Sequence, residues 1–272
     1  MLDKDLILAK LEENPELTVC NLSTMFNEPL KNMRDFIERE NIKTFSFSEK
    51  LALRNKILCT QPPIEISPMA NQLILGSMLG DGSIIRKRTN CILVVRHSLV
   101  QKQYVLHKYK LFEQSGLHVK YSERTNSYRN GIINGRIIKD NGYCQIVTKV
   151  NQSFNKYRED WYNPKKEVPD TIYELGPIGL AIWYMDDGAI HHPTGAYFST
   201  NGFNHNSQLK LQDMMIKNFG LTVHIHKNKD KEILYLIQKD YNKFVDIIKE
   251  FVCPEMNYKI IGHNKQGELL ES

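Results

Sequence analysis

The sequence predicts an α+β chain built from two related repeats, each reading helix, strand, helix, paired strands, helix, behind a small all-helical N-terminal segment. Three observations carry this. Residues 73–84, Leu-Ile-Leu-Gly-Ser-Met-Leu-Gly-Asp81-Gly82-Ser-Ile, return at 179–190 as Gly-Leu-Ala-Ile-Trp-Tyr-Met-Asp-Asp187-Gly188-Ala-Ile. Landmarks behind each copy keep register: Asp81 to Gly116 is 35 residues and Asp187 to Gly220 is 33, Lys149 and Phe154 are spaced as Lys239 and Phe244, and Trp161 and Pro164 as Phe251 and Pro254. The first 60 residues lie outside this duplication and are helical by pattern. A long internal repeat sets the architecture before any local pattern does.

In the N-terminal segment, 1–60, apolar side chains recur at helical spacing in three places: Leu6, Leu8 and Leu11, then Leu17, Val19, Leu22, Met25 and Phe26, then Met33, Phe36 and Ile37. Asn14-Pro15 and Asn27-Glu28-Pro29 separate them, each proline suiting a turn or the first turn of a helix. Three short helices with a tight break before the third resemble a helix-turn-helix, whose last helix would enter a DNA major groove. That helix offers Lys31, Asn32, Arg34 and Arg39, but also Asp35, Glu38 and Glu40. The segment therefore reads equally as a DNA-binding module or as a small helical cap or interaction module. Residues 61–68, with Gln61-Pro62-Pro63 and Ser67-Pro68, favour extended backbone and read as a linker.

The first repeat spans 69–170 and the second 175–265. Behind Asp81 come an alternating stretch, Ile92 to His97, a helix-like run, Gln101 to Gln114, and Gly116-Leu117-His118-Val119. Behind Asp187 the order recurs as Ala196 to Thr200, Gln208 to Asn218, and Gly220-Leu221-Thr222-Val223. Asn126 to Asn141, rich in Asn, Gly and Arg, has no second-repeat equivalent of that length and reads as a long basic hairpin loop.

Composition narrows the function classes. With 272 residues, 41% apolar and 25% charged, the chain can bury a substantial core. No apolar run approaches the roughly 20 residues that cross a bilayer, and the N-terminus lacks a basic segment followed by an apolar one. A soluble intracellular protein without a membrane partner is expected, in a bacterial or phage-infected cytoplasm or an organelle matrix. Cys20, Cys59, Cys91, Cys144 and Cys253 are scattered and odd in number, which suits buried reduced thiols rather than a zinc site or disulfide frame. The net charge of +5 is unevenly placed: between Arg86 and Arg136 there are eleven Lys/Arg against Glu113 and Glu123, with four tyrosines interleaved. Such a concentration is the electrostatic footprint of a polyanion partner. Arg86, Lys87, Arg88, Arg96, Lys120, Arg124, Arg129 and Arg136 are the candidate DNA contacts of the first repeat, with several on strand-like segments; Lys227, Lys229, His191 and His192 are those of the second.

Two apolar helices that each end in Asp-Gly also suggest chemistry. Gly76 and Gly80, at i and i+4, present a smooth stripe that allows close helix approach. Packing about a pseudo-two-fold axis would bring Asp81 and Asp187 together at two electronegative helix C-termini. Paired carboxylates in that setting persist best around divalent cations, and hard oxygen ligands favour Mg²⁺, with Mn²⁺ as an alternative. One Asp-Gly alone would be read as a turn that ends a helix. Two in register, beside a basic stretch, point to metal-assisted phosphodiester hydrolysis.

These residues resemble the LAGLIDADG homing endonucleases of the single-chain type, with two motif copies in one polypeptide. Ile74 to Gly82 matches the motif's Gly, Asp and Gly, and Leu180 to Gly188 its Leu, Ala, Asp and Gly; Ile182 and Asp186 stand where the motif favours small residues. The resemblance covers about 69–262 and leaves the first 60 residues uncovered. It implies two αββαββα units that offer curved antiparallel sheets to DNA, with both active sites at the bottom of the motif helices. It further implies Asp81 and Asp187 as metal ligands, helped by the main-chain carbonyls of Gly80 and Asp186. Asn163-Pro-Lys165-Lys166-Glu-Val-Pro169 and Pro254-Glu-Met-Asn-Tyr258-Lys259 resemble the family's lysine-bearing segments, nominating Lys166 and Lys259 as catalytic. His97 and His107 show no spacing that dictates a metal site and are assigned to surface or core packing.

The leading functional expectation is a monomeric, site-specific intron-homing endonuclease that cuts both strands of a long asymmetric double-stranded DNA target. A maturase of the same fold, bound to its own group I intron RNA, is the alternative. A catalytically dead DNA-binding regulator is disfavoured, because a pure binder gains nothing from two adjacent carboxylates.

Overall fold

The computed structural model describes residues 2–125, 131–133, 136–138, 142–191, 195–228 and 231–261. The chain divides into two compact units, Met1–Gln61 and Pro62–Ser272.

The first unit holds α1 (Lys4–Glu13), α2 (Val19–Met25), α3 (Leu30–Arg39) and α4 (Phe47–Thr60). Asp3 caps α1 by accepting from Asp5 and Leu6, and Thr18 with Asn21 forms a reciprocal capping box on α2. Asn27 adopts the left-handed region, φ 50°, which turns the chain tightly from α2 into α3. Ile7, Leu22, Met33, Phe36, Ile37 and Ile42 make the core of this unit. Three helices are read from its apolar spacing; the fourth, α4, starts at a second capping box between Ser46 and Glu49.

The second unit carries the repeats. The first comprises α5 (Pro68–Leu79), β1 (Gly82–Lys87), β2 (Asn90–Ser98), α6 (Lys102–Gln114), β3 (Val119–Arg124), β4 (Gly131–Ile133), β5 (Arg136–Ile138), β6 (Tyr143–Thr148) and α7 (Asn155–Trp161). The second comprises α8 (Pro177–Asp187), β7 (Gly188–Ile190), β8 (Ala196–Phe198), α9 (His205–Phe219), β9 (Val223–Asn228), β10 (Lys231–Leu236) and α10 (Tyr241–Ile248). Apart from the β4–β5 hairpin, each is αββαββα. The sheets run β1-β2-β6-β3 and β7-β8-β10-β9, the same order of equivalent strands, and every pairing is antiparallel.

Alternation along the strands turns one face of each sheet to the core. Cys144, Ile146 and Thr148 of β6, and Leu234 and Leu236 of β10, are buried there. The motif helices α5 and α8 are apolar all round because they lie between packed layers: Leu73, Ile74, Leu75, Met78, Leu180, Ala181, Ile182, Trp183, Tyr184 and Met185 are all buried. Their contact depends on glycine at Gly76, where an added Cβ would press into the Gly179 carbonyl. The prolines of 61–68 are tied to the first repeat: Asn151 donates to the Pro62 carbonyl at 3.0 Å and accepts from Ile64 N–H at 3.3 Å. Cys91, Cys144 and Cys253 are buried free thiols, and Cys20 is an exposed one.

Candidate active site

Packing α5 along α8 brings their C-terminal ends to one place. Gly80 ends α5, its N–H bonded back to the Gly76 and Ser77 carbonyls, and Asp81 follows with a side chain 43% exposed. Asp187 closes α8 directly before β7 and is half-buried. Burial drives the Asp187 carboxyl up to about 7, helped by the charges of Asp81 and Asp186 and opposed by Lys259 and Lys166. Asp81 is also raised, first by burial and then by Asp186, against His97, Lys108 and Lys259.

Each repeat sends one lysine to this place. Lys166, in the turn after α7, donates to the Gly82 carbonyl at 3.0 Å, and burial lowers its ammonium to about 8 against the pull of Asp187, Asp186 and Asp81. Lys259, at the end of a short helical turn, Pro254–Lys259, donates to the Met185 carbonyl at 2.6 Å and the Asp186 carbonyl at 3.2 Å. Burial lowers it too, against Asp186, Asp187 and Asp81. The Asp186 carbonyl, expected as a metal ligand, is thus met by the Lys259 ammonium.

Sequence reasoning missed the side chain of Asp186. It is fully buried; Oδ1 accepts from the Tyr104 hydroxyl at 2.6 Å, and Lys108 donates to Oδ1 at 3.0 Å and Oδ2 at 2.9 Å. Oδ2 also accepts from the Asp81 N–H at 3.3 Å. His97, assigned above to packing, stands beside the pair: Nδ1 is 3.2 Å from Asp81 Oδ2, and Nε2 is 3.6 Å from Asp186 Oδ1. A small residue at Gly80 is what admits this carboxylate, because a Cβ there would overlap the Asp186 side chain. The signal in the sequence was Asp186 itself, a carboxylate at a position where the motif favours a small residue.

The outer sheet faces sort the basic candidates. Arg96 lies opposite Gln145, hydrogen-bonded to it at 3.0 and 3.2 Å, and stacks over Tyr143 at 4.3 Å. Lys120 opposite Val147 and Arg124 opposite Tyr143 share that outer face. Lys87 pairs with Asn90 at the strand end, and Arg88, φ 61°, forms the turn. Arg86 departs from the expectation: its register with Cys91 puts it on the core side, where it meets Glu159 of α7 at 4.0 Å. Lys227 departs likewise, since it lies opposite Glu232, the partner of His205 on α9. One residue of register separates the faces of a strand, and charge alone does not report it. The outer face of the second sheet carries instead Tyr197, Tyr235, His224 and His226, with the His191 ring 5.1 Å from Tyr235 and His226 4.6 Å from it. Arg129, His192 and Lys229 and the side chain of Arg136 lie outside the described residues.

Two carboxylates with raised pKa and few hydrogen-bond donors are a suitable donor set for hard divalent ions. Residues 71–244 match the sequence profile of the LAGLIDADG DNA endonuclease family. The chain belongs to this family. A probable intron-encoded endonuclease 1 of Wickerhamomyces canadensis is 26% identical over 207 residues, covering 72% of this chain and 85% of the relative. The cytochrome b mRNA maturase bI2 of Debaryomyces hansenii is 26% identical over 250 residues, covering 88% and 90%. Among solved structures, the homing endonuclease I-WcaI bound to its DNA recognition sequence superposes with a TM-score of 0.60 at 23% identity, covering 77% of this chain and 92% of that one, so it shares the LAGLIDADG fold. Among the described residues no helix is long and apolar enough to cross a membrane.

Proposed function

We propose that the protein is a monomeric endonuclease that hydrolyses both strands of a long, asymmetric double-stranded DNA target, using divalent ions, Mg²⁺ or Mn²⁺, held by Asp81 and Asp187 with help from the Gly80 and Asp186 carbonyls. The observation that carries this is the meeting of two motif acids at one end of the α5–α8 pair, each with a raised pKa and with one lysine from each repeat alongside, Lys259 buried and Lys166 partly so. Divalent ions there supply activated water and stabilise the leaving oxygen.

Lys166 and Lys259 polarise the two scissile phosphates, one from each repeat. Both are partly withdrawn from solvent, which lowers both ammoniums, Lys166 to about 8, and strengthens the pull of the charge each retains on a phosphate that enters. Lys87, Arg88, Arg96, Lys120 and Arg124 hold the DNA backbone on the first sheet. On the second sheet His191, His224, His226, Tyr197 and Tyr235 provide an aromatic surface. Unlike faces read unlike half-sites, which makes the target asymmetric, and one chain supplies both halves. The deciding experiment is cleavage of DNA carrying the intron-less or intein-less form of the host gene, with Mg²⁺ and with excess chelator. Two cut strands with Mg²⁺ alone support the reading, and equal cutting in chelator sinks it.

The maturase relative aligns over 88% of the chain, which favours a second activity on intron RNA by the same basic surface. Splicing of the host intron with and without the protein tests it.

A further inference from the structure

Asp186 introduces a third carboxylate into a site that needs two, and the chain encloses it. Tyr104 and Lys108 are four residues apart on α6, so both leave the helix on one face and reach Asp186 on α8 of the other repeat. Both are fully buried. One oxygen each of Asp81 and Asp186 and one ring nitrogen of His97 lie within 4.8 Å of one another. The His97 Nε2 is buried and has no hydrogen-bond partner. Two carboxylates and an imidazole form a donor set for transition metals such as Co²⁺ or Zn²⁺, whereas Mg²⁺ prefers oxygen alone.

The cation present at this cluster is the Lys108 ammonium, with its charge against both Asp186 oxygens. The arrangement is one-sided. Counted from Gly116 and Gly220, Gln208 and Gln212 occupy the places of Tyr104 and Lys108; Gln208 bonds to Thr200 and the Glu232 carbonyl, and Gln212 to the Val223 carbonyl. Gly80 stands where Asp186 does. The symmetry-related position, at α5 of the first repeat and α9 of the second, therefore has neither the extra acid nor the ammonium.

We propose that Lys108 is a built-in monocation filling a latent transition-metal site formed by Asp81, His97 and Asp186. By holding the Asp186 carboxylate away from incoming ions it keeps Asp81 for the metal shared with Asp187, a consequence that rests on the nuclease reading above. Lys108 is thus a positioning residue that sets metal selectivity, and it touches no substrate.

The test uses the full-length protein without DNA, titrated with Co²⁺ and followed by visible absorption, for wild type, Lys108→Met, Lys108→Gln and Lys108→Met/Asp186→Ala. Lys108→Met should bind Co²⁺ at least about tenfold more tightly than wild type, with new visible bands from nitrogen and oxygen ligation. Lys108→Gln, which keeps a donor on Asp186, should shift the same way by less, and the double variant should return to wild-type affinity. If Lys108→Met is poorly folded, Co²⁺ should raise its melting temperature, which reports the same binding; no rise there and no gain in Lys108→Gln overturns the proposal. Unchanged affinity in both single variants overturns it as well, as does a gain that survives in the double variant. DNA cleavage by the wild type is scored separately with Mg²⁺: its absence would fail the nuclease reading while leaving the Co²⁺ outcome decisive for Lys108.

Discussion

The Lys108 ammonium lies 2.9 Å from Asp186 Oδ2, and both side chains are wholly buried between the two repeats. Removing one partner of such a pair leaves an uncompensated buried charge, which costs about 3–5 kcal/mol. Lys108→Met should therefore lower the stability of the metal-free protein by about that much, and Lys108→Met/Asp186→Ala should recover most of it. Denaturant unfolding of the three proteins measures the difference. Equal stability of wild type and Lys108→Met would show that the pair contributes little.

Asp81→Asn and Asp187→Asn should each slow cutting of both strands by more than about a hundredfold, beyond the loss typical of residues that only support metal ligands. Target binding should stay largely intact, because the basic sheet is unaltered. A supercoiled-plasmid time course with a parallel binding assay separates the two effects. Wild-type cutting by either variant would reduce both acids to helix-ending turns.

Lys166 and Lys259 come from different repeats, so their loss should be strand-selective. Lys166→Met and Lys259→Met should each accumulate nicked plasmid, with opposite strands left uncut. Lys166, lowered to about 8, holds its proton below that pH, so the rate it supports should fall as pH rises through about 8. Lys166→Arg, which does not deprotonate, should keep its rate to higher pH.

Asp187 is pushed up to about 7 from an ordinary value of 3.8. Between those values the folded protein binds more protons than the unfolded chain, so metal-free stability should decline as pH rises from about 4 to about 7. Metal binding needs the deprotonated carboxylate, so added Mg²⁺ should flatten that decline, as should Asp187→Asn. Melting temperatures across this range, with and without Mg²⁺, decide the point.

DNA affinity should fall linearly in log-log form with salt, and Arg96→Gln should reduce the slope by about one, the loss of one phosphate contact. Arg86→Gln, on the α7 side of its strand, should leave the slope unchanged. Equal slopes for wild type and Arg96→Gln would place the DNA elsewhere. A protein beginning at Pro62 should fold, because the repeats form a compact unit by themselves. A shortened footprint for it favours a DNA-reading N-terminal unit, and an unchanged one favours a cap.

The sequence by itself determined the duplication, the α+β class and the family, since repeat landmarks and apolar helix patterns are local and survive divergence. It marked Asp81, Asp187, Lys166 and Lys259 by motif position, and the structure brings all four to the joined ends of α5 and α8. Only the tertiary structure decided that Lys108, Tyr104 and His97 belong there too. Lys108 lies 78 residues from Asp186 along the chain, and nothing in an α6 lysine distinguishes a buried ion-pair partner from a solvated one until the helices pack. The faces of Arg86 and Lys227 were hidden for a related reason. Side chains alternate with a period of two, so strand register, fixed by pairing across the sheet, decides whether a charge turns outward or toward a helix.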